Sequence, residues 1–185
     1  LTGCPLRCGY CDTAYAFQGG EDVSIAEILE KVASYEVPYV TVTGGEPLAQ
    51  TNCHVLLKDL CNKGYKVSLE TSGALDISSV DPRVVTVMDI KTPDSGEADK
   101  NRYDNIQHLK EQDMIKFVIC SRNDYDWAKT IMEQHQLHKH CEILFTPGFH
   151  QQDATELAEW VLQDKLPVRL QTQLHKLLWG DVAGK

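Results

Sequence analysis

No stretch of the 185 residues is apolar for long enough to cross a bilayer as a helix, so no membrane partner is expected. Basic residues are in deficit: 18 Lys and Arg stand against 27 Asp and Glu, a formal net charge of −9. That deficit argues against nucleic-acid binding, which depends on basic patches that neutralise phosphates. No low-complexity run or linker interrupts the chain, and no second closely spaced cysteine pair follows the first cluster. A disulfide framework is missing too. Seven cysteines is an odd count, with Cys4, Cys8 and Cys11 clustered and Cys53, Cys61, Cys120 and Cys141 scattered through apolar stretches. The pattern fits a reducing, cytoplasmic setting with one ligand cluster and several buried thiols. The first residue is Leu1, and no secretory leader is visible in the stretch given.

What is present alternates. Ser24-Ile-Ala-Glu27 reads as a capping box, and Ile25, Ile28, Leu29, Val32 and Ala33 then recur at helical spacing. A β-branched run from Val37 to Thr43 follows, then a helix over Cys53–Lys63 closed by Gly64. Further strands are expected near 66–70, 84–90, 115–120, 142–145 and 168–171, and helices near 103–112, 125–136 and 154–163. Short-linked strand–helix alternation with six strands predicts an α/β fold, a parallel sheet with helices against it, over residues 1–185 as one domain.

Polar clusters fall at the carboxyl ends of four strands: Thr43-Gly-Gly-Glu-Pro47, Glu70-Thr-Ser-Gly73, Asp89-Ile-Lys91 and Gln171-Thr-Gln-Leu-His175. Parallel sheets and barrels place their ligands there. Taken singly each cluster has an ordinary reading. Asp89 and Lys91 could form a strand-end ion pair, Glu70 could cap a turn, and His175 could pack among Leu174, Leu177 and Leu178.

The loop Cys4-Pro-Leu-Arg-Cys8-Gly-Tyr-Cys11 has CxxxCxxC spacing. Thiolates select soft or borderline metals, so zinc and iron–sulfur are the candidates, with unmetallated loop cysteines as the third reading. Structural zinc usually closes its shell with four protein ligands. Three thiols on a [4Fe–4S] cluster leave one iron open.

The loop resembles that of the radical S-adenosylmethionine superfamily, and Thr43-Gly-Gly-Glu46-Pro resembles the same superfamily's GGE motif. The resemblance implies a partial, incomplete TIM-like (β/α)6 barrel with parallel strands. It also implies a [4Fe–4S] cluster on Cys4, Cys8 and Cys11, with S-adenosylmethionine chelating the open iron. The cofactor is then expected against Tyr10, Cys11, Asp12, Gly45, Glu46, Ser72, Asp89, Ile90 and Lys91, with the two glycines allowing close approach and Glu46 pairing its ammonium.

Within the superfamily, Cys11-Asp-Thr13, Glu-Thr-Ser-Gly and Gln-Thr-Gln-Leu-His-Lys resemble the branch that contracts a carboxylated tetrahydropterin to a carboxylated deazaguanine, releasing ammonia. That resemblance implies Mg²⁺ on Thr13, the pterin against Thr43 and His175, and no catalytic side chain beyond the cofactor-derived radical. It further implies a homodimer and a flavodoxin- or ferredoxin-type reductant. The branch carries a Gln-Gly-Glu segment, an Arg and a first strand upstream of the cysteine loop. These 185 residues begin after them, and poor substrate binding by this stretch alone is the corresponding expectation. The alternative within the superfamily is an activating enzyme that installs a glycyl radical on a partner protein. The alternative outside it is a zinc-stapled binding module.

Overall fold

The computed structural model describes residues 1–180, 182 and 184. Six strands form one parallel sheet: β1 (Tyr39–Val42), β2 (Lys66–Thr71), β3 (Val85–Asp89), β4 (Met114–Ile119), β5 (Glu142–Pro147) and β6 (Arg169–Leu170). Their spatial order is the chain order, β1-β2-β3-β4-β5-β6, and all five pairings are parallel. The sheet is open, as expected of an incomplete barrel. Among the described residues five α-helices accompany it: α1 (Ile25–Ala33), α2 (Cys53–Asn62), α3 (Arg122–Gln134), α4 (Ala154–Asp164) and α5 (Leu174–Trp179). Among the described residues no helix is long and apolar enough to cross a membrane.

The local signals act as read. Ser24 Oγ accepts the Glu27 amide at 3.2 Å, and the Glu27 carboxylate accepts the Ser24 amide at 2.8 Å. Gly64, at φ 88°, ends α2 with its N–H on the Cys61 carbonyl. The segment 103–112 is a correction: it forms a 3-10 turn over Tyr103–His108, not an α-helix. Asn105 explains the difference. It is fully buried, its amide nitrogen donates to the carbonyls of Gly73 (3.1 Å) and Leu75 (2.8 Å), and its oxygen accepts from the Ile77 amide. Three tertiary hydrogen bonds from one side chain outweigh the weak helical preference of a short segment.

Strand alternation sorts the two faces. On the outer face Ile115, Phe117, Ile119, Ile143 and Phe145 pack with Tyr125 of α3 and Leu157 of α4. A second cluster joins Val42, Val67 and Leu69 to Leu57 and Leu60 of α2. Residues of opposite parity, Thr41, Glu70, Asp89, Lys116, Val118 and Thr146, line a cavity of about 520 Å³ on the other face. That volume lies in the range of small-molecule pockets.

Candidate active site

The cysteine loop has no regular structure beyond one 3-10 turn over Ala14–Ala16, so other groups must hold it. The Gly3 amide donates to Ala16 (2.8 Å) and the Gly9 amide to Ser95 (2.9 Å). Arg7 lies over the Phe17 ring at 4.5 Å and donates to the Cys4 and Leu6 carbonyls at 2.7 and 2.6 Å. Cys4, Cys8 and Cys11 are half-buried, reduced and turned to the cavity. Burial pushes the Cys8 and Cys11 thiols up, opposed at Cys8 by Lys91 and at Cys11 by a backbone hydrogen bond from Thr13. Thiolates here therefore need a cationic partner. Among the described residues no three His, Cys, Asp or Glu side chains group closely enough for a single metal ion. Three thiols turned to one cavity offer a soft donor set, and that chemistry fits an iron–sulfur cluster.

The end of β1 packs directly on this loop. The Gly45 amide donates to Leu1 at 2.9 Å and the Glu46 amide to Gly3 at 2.8 Å. A Cβ on Gly45 would lie 2.5 Å from the Gly3 carbonyl oxygen and 2.8 Å from that of Ala16. The glycine is demanded by the flank of the cysteine loop itself, not only by a ligand. Glu46 is the larger correction. Its carboxylate is fully buried and absent from the cavity wall. It accepts from Thr71 Oγ1 (2.9 and 3.0 Å), the Ser72 amide (2.6 Å) and the Leu48 amide (3.0 Å). Held by these three donors, the carboxylate braces the ends of β1 and β2 together and is turned away from the cavity in this geometry.

Four charges alternate across the cavity floor. Lys91 Nζ donates to Asp89 Oδ2 at 2.6 Å. Lys116 Nζ donates to Glu70 Oε2 at 2.7 Å and sits 3.1 Å from Asp89 Oδ1, an ion-pair contact outside hydrogen-bond geometry. Burial alone would raise the Asp89 carboxyl, but Lys116 and Lys91 hold it below its ordinary range. Burial would lower both ammoniums, and their carboxylate partners carry them above the usual lysine range instead. The strand-end ion pair therefore forms, and both of its residues line the cavity. Ile90 is corrected: between these two it has opposite parity and packs into the outer core at 2 % exposure.

Asp12 closes the wall. Its Oδ1 accepts the Thr13 hydroxyl at 2.8 Å, its Oδ2 accepts Gln173 Nε2 at 2.8 Å, and His175 Nε2 lies 3.2 Å from Oδ2. Leu174, Leu177 and Leu178 are exposed, so His175 is not a packing histidine. Of the residues expected at the site, Cys4, Cys8, Tyr10, Cys11, Asp12, Thr13, Thr43, Gly45, Ser72, Asp89, Lys91 and His175 all line this one cavity. Gln173, part of the Gln171–His175 cluster read from sequence, lines it too, as do Lys116 and Thr146, which were not singled out. The buried polar atoms Tyr10 Oη, Thr146 Oγ1 and Gln173 Oε1 find no partner among the described residues, as in a wall built for a polar ligand.

An open parallel α/β sheet with a three-thiol loop over the carboxyl ends of its strands is the architecture of a radical S-adenosylmethionine enzyme, and the Radical SAM superfamily model matches residues 1–89. QueE from Escherichia coli shares the fold, with a TM-score of 0.70 at 21 % identity over 93 % of this chain and 82 % of that one. SuiB from Streptococcus suis bound to S-adenosylmethionine matches with a TM-score of 0.63 at 18 % identity, over 92 % of this chain and 48 % of its own. In sequence the chain is 44 % identical to the 7-carboxy-7-deazaguanine synthase of Chlorobaculum tepidum, over 99 % of this chain and 84 % of that protein. It is 40 % identical to the one from Koribacter versatilis, over 97 % and 86 %. The chain belongs to the 7-carboxy-7-deazaguanine synthase family. That assignment sets aside both the zinc module and the glycyl-radical activating enzyme.

Proposed function

We propose that the chain forms 7-carboxy-7-deazaguanine, the product for which its relatives are named, from 6-carboxy-5,6,7,8-tetrahydropterin with loss of ammonia. The observation that carries this reading is the junction at Asp12. It brings Cys-Asp-Thr and Gln-Thr-Gln-Leu-His, the two segments that most narrowly resemble this branch, into one wall of one cavity.

Cys4, Cys8 and Cys11 would hold a [4Fe–4S] cluster. S-adenosylmethionine would lie beside it along Tyr10, Asp12, Gly45, Ser72, Asp89 and Lys91. When bound, the pair supplies a carbon radical able to take a hydrogen atom from the pterin. The chain's own residues then orient and enclose. Burial pushes the Tyr10 hydroxyl far up, so it remains a neutral O–H donor at the site's edge. Lys91, buried and held charged by Asp89, supplies a fixed cation near Cys8. Thr43 and His175 face the pterin side. Thr13 would serve as a ligand to Mg²⁺: its hydroxyl donates its hydrogen bond to Asp12, which leaves the oxygen lone pairs for a hard cation. The same reading takes the protein as a cytoplasmic homodimer reduced by a flavodoxin- or ferredoxin-type donor. The exposed apolar side chains of α5, Leu174, Leu177, Leu178 and Trp179, are consistent with a second copy nearby.

The test is anaerobic incubation of the cluster-loaded protein with the carboxy-tetrahydropterin, S-adenosylmethionine, Mg²⁺ and reductant. Mass detection of the deazaguanine, with ammonia released and no net loss of S-adenosylmethionine, is the expected result. A stoichiometric build-up of 5′-deoxyadenosine with no deazaguanine would sink the proposal.

A further inference from the structure

β4 is an apolar strand with one charged residue in it, Lys116. Its neighbours Ile115 and Phe117 are fully buried in the outer core, and alternation turns Lys116 to the cavity, with its side chain 19 % exposed. A half-dried ammonium on a strand otherwise made for packing needs a reason, because an unpaired one carries a large desolvation penalty. Charge balance at Asp89, whose Oδ1 lies 3.1 Å from Lys116 Nζ, accounts for part of it but not for the contact with Glu70. Asp89 already receives Lys91 at 2.6 Å, and Lys91 does not reach Glu70.

What Lys116 does alone is reach across a strand. Asp89 of β3 is its register partner, and Glu70 lies on β2, one strand further away. At the usual spacing of neighbouring strands that is a span of about 10 Å, which requires a long, nearly extended side chain. Lys116 Nζ ends 2.7 Å from Glu70 Oε2. The second oxygen, Oε1, meets no donor among the described residues, while the Glu70 side chain stays 31 % exposed at the cavity floor. One oxygen is pinned and the other is left as an oriented acceptor. A pterin offers amino and ring N–H donors of the kind such an acceptor recognises.

We propose that Lys116 is a positioning residue, which fixes the Glu70 carboxylate across the width of β3 so that its free oxygen accepts an N–H of the bound substrate. This rests on the pterin reading given above. Lys116 itself need not touch the substrate; its effect passes through Glu70.

The experiment is a double-mutant cycle on the cluster-loaded native protein, with anaerobic titration of the carboxy-tetrahydropterin giving Kd and steady-state turnover giving KM. Lys116→Met and Glu70→Gln are each expected to raise Kd and KM about tenfold or more, as for lost hydrogen bonds to a charged group. The double variant is expected to be no worse than either single one, and Lys116→Arg to recover most of the loss. Losses that simply multiply, or a folded Lys116→Met protein with wild-type Kd, overturn the proposal. Should Lys116→Met fail to fold, Glu70→Gln and Lys116→Arg decide: wild-type Kd in Glu70→Gln overturns it too. A wild-type protein that neither binds nor turns over this pterin removes the functional reading and this inference together. Wild-type turnover with an additive cycle removes this inference alone.

Discussion

Gln173 Nε2 donates to Asp12 Oδ2 at 2.8 Å across 161 positions of sequence. His175 meets the same oxygen, and Thr13 takes the other. One carboxylate therefore joins the residue after the last cluster cysteine to the segment after the last strand.

Removing that junction should loosen the substrate side while sparing the thiols, which are held separately by Arg7, Gly9 and Gly3. For Asp12→Ala we expect KM for the pterin to rise about tenfold or more, at least the scale of one lost hydrogen bond to a charged group, with iron content unchanged. Iron and steady-state assays on the same preparation check this. Lost iron with an unchanged KM would refute it.

The Mg²⁺ role proposed for Thr13 can be separated from its place in the loop. Thr13→Ala should raise the Mg²⁺ concentration for half-maximal turnover by about tenfold, whereas Thr13→Ser, which keeps the hydroxyl, should stay within a few-fold of wild type. A Mg²⁺ titration with identical curves for all three proteins would exclude the hydroxyl as a ligand.

Glu46 distinguishes a brace from a ligand contact. Truncating it strands the Thr71 hydroxyl and the Ser72 and Leu48 amides without their acceptor. Glu46→Ala should therefore lower unfolding free energy by about 3 kcal/mol, measured from the urea midpoint. Were the carboxylate paired with a cofactor ammonium instead, stability would hold and only S-adenosylmethionine affinity would fall.

Asp89 sets an acid limit. Its folded carboxyl titrates below its ordinary value of 3.8, since Lys116 and Lys91 overcome the effect of burial. A depressed acid contributes stability that is complete above the unfolded value and is lost as pH falls through the folded one. Wild-type protein should thus lose stability more steeply than Asp89→Asn as pH is taken from about 5 downward. Parallel acid-unfolding curves for the two proteins would count against it.

Much of this was legible before any coordinates. β-branched runs ending in polar clusters mark the strands, and in a parallel sheet the carboxyl ends share one rim, so Thr43, Ser72, Asp89 and His175 converge as read. What escaped has a common physical origin. Ile90 sits between two cavity residues, and only the pleat says which way it points. Glu46 was expected at the cofactor from its resemblance to the GGE motif, but Thr71 and Ser72, on a neighbouring strand end about 25 positions away, draw its carboxylate from the cavity. Lys116 hides inside an apolar run, since its reason for being there is an acid 46 positions earlier. Asn105 diverts a helical-looking segment through bonds to residues 73–77, which no local pattern announces. Each miss is a polar side chain, or the neighbour of one, whose partner lies on another element.

The strand order has a consequence for synthesis. Each strand pairs only with its predecessor and successor in the chain, so the sheet can zip up strand by strand as it leaves the ribosome. The chamber over it cannot, because one wall waits for residues 173 and 175. A nascent chain therefore presents its three thiols on a half-built vessel, whose last wall is set only after β6 has been made.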